Sequence, residues 1–209
     1  GIYLFSDTQT DVVLQNTTVA HNVATDGAGL YVDGTDPASG NENSLTLLNS
    51  TVTGNVASTG AGGLALGAAA SQGSIVNSIV TGNTGATTAT NDVGSVPASP
   101  VAGDLRNSLV GTTLYDGAGA GSSAGATAAD VAALVFDQTL GFTDLNGNGV
   151  QDPGEPLAGA NVLAGRLADN GGPVQTVALR ALETNPAIGG GDAAAASGLT
   201  TDARGTGFD

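Results

Sequence analysis

The sequence predicts an all-β chain of stacked parallel coils, and two recurring strings on one spacing predict it. The first string, Asn49-Ser-Thr-Val-Thr-Gly-Asn55, reads upstream as Asn16-Thr-Thr-Val-Ala-His-Asn22 and downstream as Asn77-Ser-Ile-Val-Thr-Gly-Asn83, with a shorter copy at Asn107-Ser-Leu-Val-Gly111. The copies are 33, 28 and 30 residues apart, a period that marks a stacked repeat. The second string, Gly27-Ala-Gly-Leu-Tyr-Val32, aligns with Gly60-Ala-Gly-Gly-Leu-Ala-Leu66 on the same period, and Gly1-Ile-Tyr-Leu-Phe5 is that strand without its preceding turn. Each coil therefore supplies at least two strands.

The copies have a physical reading. Each places Val19, Val52, Val80 or Val110 in a short β-branched run with Asn at its ends, which reads as one strand closing in a turn. In a parallel stack, matched positions lie about 4.8 Å apart, so the four Val form an aliphatic ladder. Asn16, Asn49, Asn77 and Asn107 form a second ladder, in which stacked amides hydrogen-bond along the stack. Asn also tolerates the tight bend of a corner. Hairpin turns in an antiparallel sandwich are the alternative, but they do not demand like residues at matched positions.

In chain order, residues 11–40 make a coil with Val12, Val13 and Leu14 before the corner, and Asp33 to Glu42 leave it as a polar loop. Residues 44–72 make the next, with Leu45, Leu47, Val52, Val56, Leu64 and Leu66 directed to the core. A third runs from Gly73 to about Asp92, followed by an excursion over Val93 to Pro100, and a fourth from Asp104 to Tyr115. The organisation is thus residues 1–115 as coils, 116–129 as a flexible Gly/Ala/Ser-rich loop, and 130–209 as a C-terminal capping region. Asp130 to Phe136 is too short for periodicity to separate helix from strand. Asp169-Asn-Gly-Gly-Pro173 is a turn, Val174 to Leu182 a strand or edge segment, and Arg204 pairs with a carboxylate such as Asp202 in the cap.

Composition bounds the function. Thirty-four glycines and 3 % aromatics suit a tightly wound backbone. With four basic and 19 acidic residues the net charge is −15, which repels nucleic acid and anionic membranes and attracts divalent cations. Cysteine is absent, as fits an extracellular protein whose stacked core dispenses with disulfides. There is neither a signal peptide nor an apolar run that would span a bilayer, and Gly1 starts in mid-coil, so the chain reads as a piece of something longer.

The chemical centre is Asp144-Leu-Asn-Gly-Asn-Gly-Val-Gln-Asp-Pro-Gly-Glu155. Asp144, Asn146, Asn148 and Asp152 supply side-chain oxygens at positions 1, 3, 5 and 9 of a twelve-residue calcium loop, with Val150 giving a carbonyl at 7 and Glu155 two oxygens at 12. Gly149 makes the turn. A hard cation needs six to eight converging oxygens, and this spacing wraps one chain around it. Pro153 and Pro156 oppose the long flanking helices of a helix–loop–helix hand, so the loop sits in β structure. An empty acidic turn is the plainer alternative. Three carboxylates and two amides suit millimolar extracellular Ca2+.

Three resemblances follow from these strings. The coils, over roughly residues 1–115, resemble the right-handed parallel β-helix repeats of bacterial surface and secreted proteins, an architecture that enzymes, adhesins and structural proteins share. The stretch from Asp144 to Val162 is similar to the calcium-bound B-type repeats of serine-aspartate-rich adhesins, which implies the metal loop. Leu167 to Leu179, Asn185-Pro-Ala-Ile-Gly-Gly-Gly-Asp192 and Thr201-Asp-Ala-Arg-Gly205 resemble the ending of choice-of-anchor Q domain proteins, which are bacterial, extracellular and β-helical. That family's pattern runs Asn-Gly-Gly-Pro-Thr-Gln-Thr, Ser-Pro-Ala-Ile-Asp and Thr-Asp-Gln-Arg-Gly, from which Val174, Asn185, Gly189 and Ala203 depart.

Parallel β-helices also host polysaccharide lyases and glycosidases, which need a basic residue beside clustered acids or a close carboxylate pair. Lysine is absent, Arg106 is the one basic candidate in the repeats, and Asp11, Asp26, Asp33, Asp92 and Asp104 do not recur at matched positions. His21 takes the slot of Gly54 and Gly82, an exposed turn position, and the few aromatics leave little platform for sugar stacking. The sequence therefore predicts a non-catalytic structural or adhesive β-solenoid, extracellular or at the cell surface. It is calcium-stabilised, self-associates end to end as a filament or grips a surface or polysaccharide ligand, and has no catalytic residues. A carbohydrate-active β-helix enzyme is the alternative.

Overall fold

The computed structural model describes residues 1–34, 43–67, 70–87, 91–95, 104–115, 121–125, 127–137 and 164–205. The described chain is all-β apart from one helix. Three parallel sheets carry it, and each repeat gives one strand to each sheet in turn. The first sheet stacks β1 (Ile2–Ser6), β5 (Leu30–Gly34), β9 (Leu64–Leu66) and β12 (Val93–Ser95). The second stacks β2 (Asp11–Gln15), β6 (Asn43–Leu48), β10 (Ala70–Val76) and β13 (Leu105–Arg106). The third stacks β3 (Thr18–Ala20), β7 (Thr51–Thr53), β11 (Ile79–Val80) and β14 (Ser108–Val110). A two-strand ladder of β4 (Val23–Ala24) and β8 (Val56–Ala57) lies beyond the second Asn of the corner and is continued by a parallel bridge from Val56 to Thr84.

The registers build columns of like side chains. Val19, Val52, Val80 and Val110 are successive partners in the third sheet. Leu14, Leu47, Ile75 and Leu105 form a column in the second, and Ile2, Leu30, Leu64 and Val93 one in the first. These columns meet in one core. A strand buries alternate residues, so Leu45 and Leu47 point in while Ser44 and Thr46 are partly exposed. Each fully buried Leu or Val contributes about 1.5–3 kcal/mol relative to exposure.

Close backbone approach explains the glycines of the second string. Ile2, Leu30 and Leu64 donate their amides to Gly29, Gly63 and Asp92 carbonyls at 2.8–2.9 Å. A Cβ at Gly29 or Gly63 would collide with the carbonyl of the next repeat.

Several expectations change. Val56 is only partly buried and Ala57 takes the inward position, because β8 leaves the corner with its first side chain facing out. Val93 to Ser95 form β12 in the first sheet, so the expected excursion over Val93–Pro100 starts later than the sequence suggests; residues 96–100 lie outside the described residues. After β14 the pairing changes direction. Strand β15 (Thr113–Tyr115) turns back antiparallel on β14, and β16 (Gly121–Ser123) follows antiparallel on β15. Within 116–129, read as a flexible loop, β16 and the start of helix α1 (Ala128–Val135) are thus ordered elements. The helix starts there because Thr127 and Asp130 make a reciprocal capping box. Its alanines then propagate the turn at little entropic cost.

Described residues of the C-terminal region pack against the third sheet and its corner. Val131, Val135 and Phe136 are buried against Ile79 and Leu109, the outward residues of β11 and β14. The hairpin β17 (Leu167–Ala168) and β18 (Thr176–Val177) follows, its turn carrying Gly171 and Gly172 at a φ of 87°. Among the described residues no helix is long and apolar enough to cross a membrane.

The fully buried Leu47 tests the columns. Leu47→Ala is expected to cost about 2–5 kcal/mol in urea unfolding, while Val13→Ala, 59 % exposed on the neighbouring strand, stays within about 0.5 kcal/mol.

Candidate functional site

The corner between the second and third sheets carries the most polar chemistry of the fold. Asn16, Asn49, Asn77 and Asn107 turn it at φ values of 50–52°, the left-handed region that Asn tolerates and β-branched residues do not. The Ser or Thr that follows closes the step between repeats. Thr17, Ser50 and Ser78 donate their amides to the hydroxyls of Ser50, Ser78 and Ser108 at 3.0–3.1 Å.

The amide-to-amide ladder runs through different residues from those expected. Asn22 Nδ2 donates to Asn55 Oδ1 at 2.8 Å, Asn55 to Asn83 at 2.9 Å, and Asn83 to the Asp92 carboxylate at 2.9 Å. Asn16, Asn77 and Asn107 instead hold the C-terminal segment. Asn107 donates to Gly190 O, Asn77 exchanges two hydrogen bonds with the Asp192 backbone, and Asn16 donates to Thr201 O. The reason is conformational: a corner residue with positive φ turns its amide out of the stack, where a chain running along the corner can meet it. The side chain of Asn49, the rung between, makes no hydrogen bond among the described residues and lines a groove.

That groove, about 540 Å³, lies between the corner and the C-terminal hairpin and is walled by Asn16, Asn49, Thr18, Thr51, Asn170 and the Asp202–Arg204 pair, among others. Its size is that of a small-ligand site, and its lining mixes hydroxyls and amides with Val177, Ala178 and Leu179. Arg204 holds Asp202 through Nη2 at 2.5 Å and Nε at 2.8 Å. Partial burial opposes ionisation of Asp202, but the hydrogen bonds and charge of Arg204 outweigh it and hold the carboxyl below its ordinary range. The wall changes along the stack. Outward positions Thr18 and Thr51 of the first two repeats face the groove, whereas Ile79 and Leu109 of the next two are covered by the helix. A reading of the sequence by inward positions alone misses this; the switch from Thr to Ile and Leu at one matched outward position is the signal that shows it.

Asp11, Asp26, Asp92 and Asp104 of the repeats are engaged structurally. Asp11 accepts from Ser44 Oγ at 2.6 Å, and Asp26 accepts from the Gly27 and Ala61 amides at 2.7 Å. Arg106 is held between Asp104 and Asp192, the latter at 3.6 Å. His21 has a φ of 59° but is half-buried under the C-terminal segment rather than exposed, with Nε2–H donating to Gly165 O at 3.1 Å. Burial lowers its pKa, against a weaker opposing effect of that hydrogen bond. Among the described residues no three His, Cys, Asp or Glu side chains gather as a metal site. The calcium-loop residues Asp144, Asn146, Asn148, Val150, Asp152 and Glu155 lie outside the described residues.

Comparisons with family models, with curated proteins and with solved structures find no match to this chain.

Two predictions follow from the corner. In Asn77→Gly the backbone keeps its left-handed turn but loses the amide, so the Asp192 amide is expected to exchange with solvent about tenfold faster; Asn49→Gly, whose side chain does not touch Asp192, leaves that rate unchanged. The second concerns Asp92, whose carboxyl is pushed up from its ordinary 3.8 to about 6 by burial, against the lowering effect of the Asn83 hydrogen bonds. A raised carboxyl favours the folded state below the unfolded value and loses that contribution as pH rises through about 6. Asp92→Asn should therefore stabilise the fold at pH ~7.5, by an amount on the order of 2 kcal/mol. Its melting temperature should converge with wild type near pH ~4.

Proposed function

We propose that the three parallel sheets are the faces of a right-handed parallel β-helix, and that the chain is a non-catalytic extracellular β-solenoid of structural or adhesive function. The observation that carries this reading is the parallel pairing of matched strands from β1 to β14, with alike residues in the inward columns, braced along one side by residues 164–205. A scaffold of this kind is a rigid rod whose surface can vary without loss of the core. The engagement of the repeat carboxylates and of His21 in backbone and side-chain hydrogen bonds supports a structural role over an acid–base one. The resemblance to choice-of-anchor Q proteins supports surface or secreted location.

Calcium belongs to the same proposal. The segment 144–155 lies between Asp137, whose amide donates to Ala178 O, and the fully buried Ala164, so the chain on either side of it is tied to the C-terminal packing. A cation bound by the Asp144 and Glu155 carboxylates would stiffen that region. End-to-end self-association is the further part of this reading, since stacked parallel repeats can in principle continue onto a second copy.

Titration calorimetry with Ca2+ on the wild type and on Asp144→Ala plus Glu155→Ala, with melting temperature and particle size measured in the same samples, tests this. One saturable site near millimolar Ca2+, lost in the variant together with a Ca2+-dependent rise in melting temperature, is expected. Growth in particle size with Ca2+ supports assembly. No binding at millimolar Ca2+ refutes the metal, and release of reducing ends or unsaturated products from polysaccharides refutes the non-catalytic assignment.

A further inference from the structure

The outer face of the first sheet carries a tile of aromatic rings that the core does not need. In β1, Ile2 and Leu4 point inward and join the core, which directs Tyr3 and Phe5 outward, 63 % and 50 % exposed. Parallel pairing sets Tyr3 beside Tyr31 and Phe5 beside Asp33. The Tyr3 and Phe5 rings are nearly parallel, 19° apart with centroids at 6.1 Å, and Tyr31 tilts toward Tyr3 at 5.4 Å. A chain with three Tyr and four Phe thus gathers three of its rings on two adjacent strands.

The repeat does not dictate this arrangement. On β9 the partner of Tyr31 is Ala65, and just beyond it Gly67 leaves space that the Asp33 carboxyl fills, where a Cβ would collide with it. Leaving two rings half or more in water forfeits burial that other outward positions would not, and exposed apolar patches rimmed by polar groups mark interaction surfaces. The rim here is negative. The Tyr31 hydroxyl is pushed up by burial first, then by the charges of Asp33 and Asp26.

We propose that the Tyr3–Phe5–Tyr31–Asp33 tile docks an amine-bearing polysaccharide, with pyranose faces stacked on the rings and a protonated amine drawn to the carboxylate. The proposal rests on the adhesive reading above and supplies its ligand class. Aromatic faces attract cations through their quadrupole, and a net charge of −15 repels acidic glycans while concentrating cationic ones. The tile lies on the outer face of the sheet, and the backbone groups of β5 are spent in the plane of the sheet on β1 and β9. An extended peptide would find no main-chain partners there; a sugar ring needs only the ring faces and the carboxylate.

The test uses isothermal titration with a glucosamine hexamer against wild type, Tyr3→Ala plus Phe5→Ala, and Asp33→Asn, at low and moderate salt. Tyr3 and Phe5 are half or more exposed and Asp33 is partly so, and an unchanged melting temperature verifies the fold. Binding that weakens about tenfold or more in the ring variant and severalfold in Asp33→Asn supports the proposal. The N-acetylated hexamer should bind more weakly than the free amine to wild type, and equally to wild type and Asp33→Asn. Hexamer binding that is undiminished in both variants overturns the tile even if the protein is a glycan adhesin, and absence of binding to wild type overturns the ligand class. An oligolysine peptide that binds as tightly as the hexamer and depends equally on the rings also overturns it, in favour of a protein partner. Calcium binding in the same wild-type sample reports separately on the solenoid reading.

Discussion

Everything in this structure depends on register between parallel repeats. A parallel ladder fixes each residue over its counterpart, so one matched position propagates as a column through the stack. The Val19–Val52–Val80–Val110 column and its neighbours are therefore a single packing decision made four times. Insertions between strands leave that decision intact, which is why successive copies of the corner string can be 33, 28 and 30 residues apart without breaking the columns. The corner enforces the register. An Asn at positive φ, a hydroxyl that reaches the adjacent repeat, and a glycine or His21 at a second positive φ bend the chain at the same point each time.

The two asparagines of each of the first three corner strings divide the work. The second points into the stack, where its amide has no water to bond and must be satisfied by the next amide, as buried polar groups are. That chain ends at Asp92, which supplies the acceptor that a fourth Asn would have provided. A carboxylate is a less suitable terminator than an amide because its charge is costly to bury, and its raised pKa expresses that cost. The first Asn points out of the stack and becomes the attachment row for residues 190–201. Stack and brace are thus coupled through one residue type in two conformations.

The surfaces differ in chemistry because strands alternate. The inward positions must be alike, whereas the outward ones are free to vary between repeats. On the third sheet they pass from Thr18 and Thr51 to Ile79 and Leu109, and the helix covers only the apolar part, leaving the polar groove. On the first sheet they include Tyr3 and Phe5, half or more exposed, with Tyr31 and Asp33 beside them. Function on such a scaffold resides in what the outward positions carry, since the core tolerates any of these choices.

The sequence by itself determined the strands of the two recurring strings, their repeat and the Val column, because β-branched runs and matched spacing are local properties that need no knowledge of the partner. It also located the corners, since Asn and Gly report the left-handed backbone wherever they recur, and it paired Asp202 with Arg204 from proximity along the chain. Only the tertiary structure decided which Asn bonds to which, because the direction of an amide depends on whether the turn places it inside or outside the stack. Tertiary contact alone likewise laid residues 190–201 along the corner and turned His21 from an exposed turn residue into one half-buried beneath Gly165. Those outcomes hang on contacts more than a hundred residues apart in sequence, such as Asn77 with Asp192 and His21 with Gly165, which no local pattern encodes.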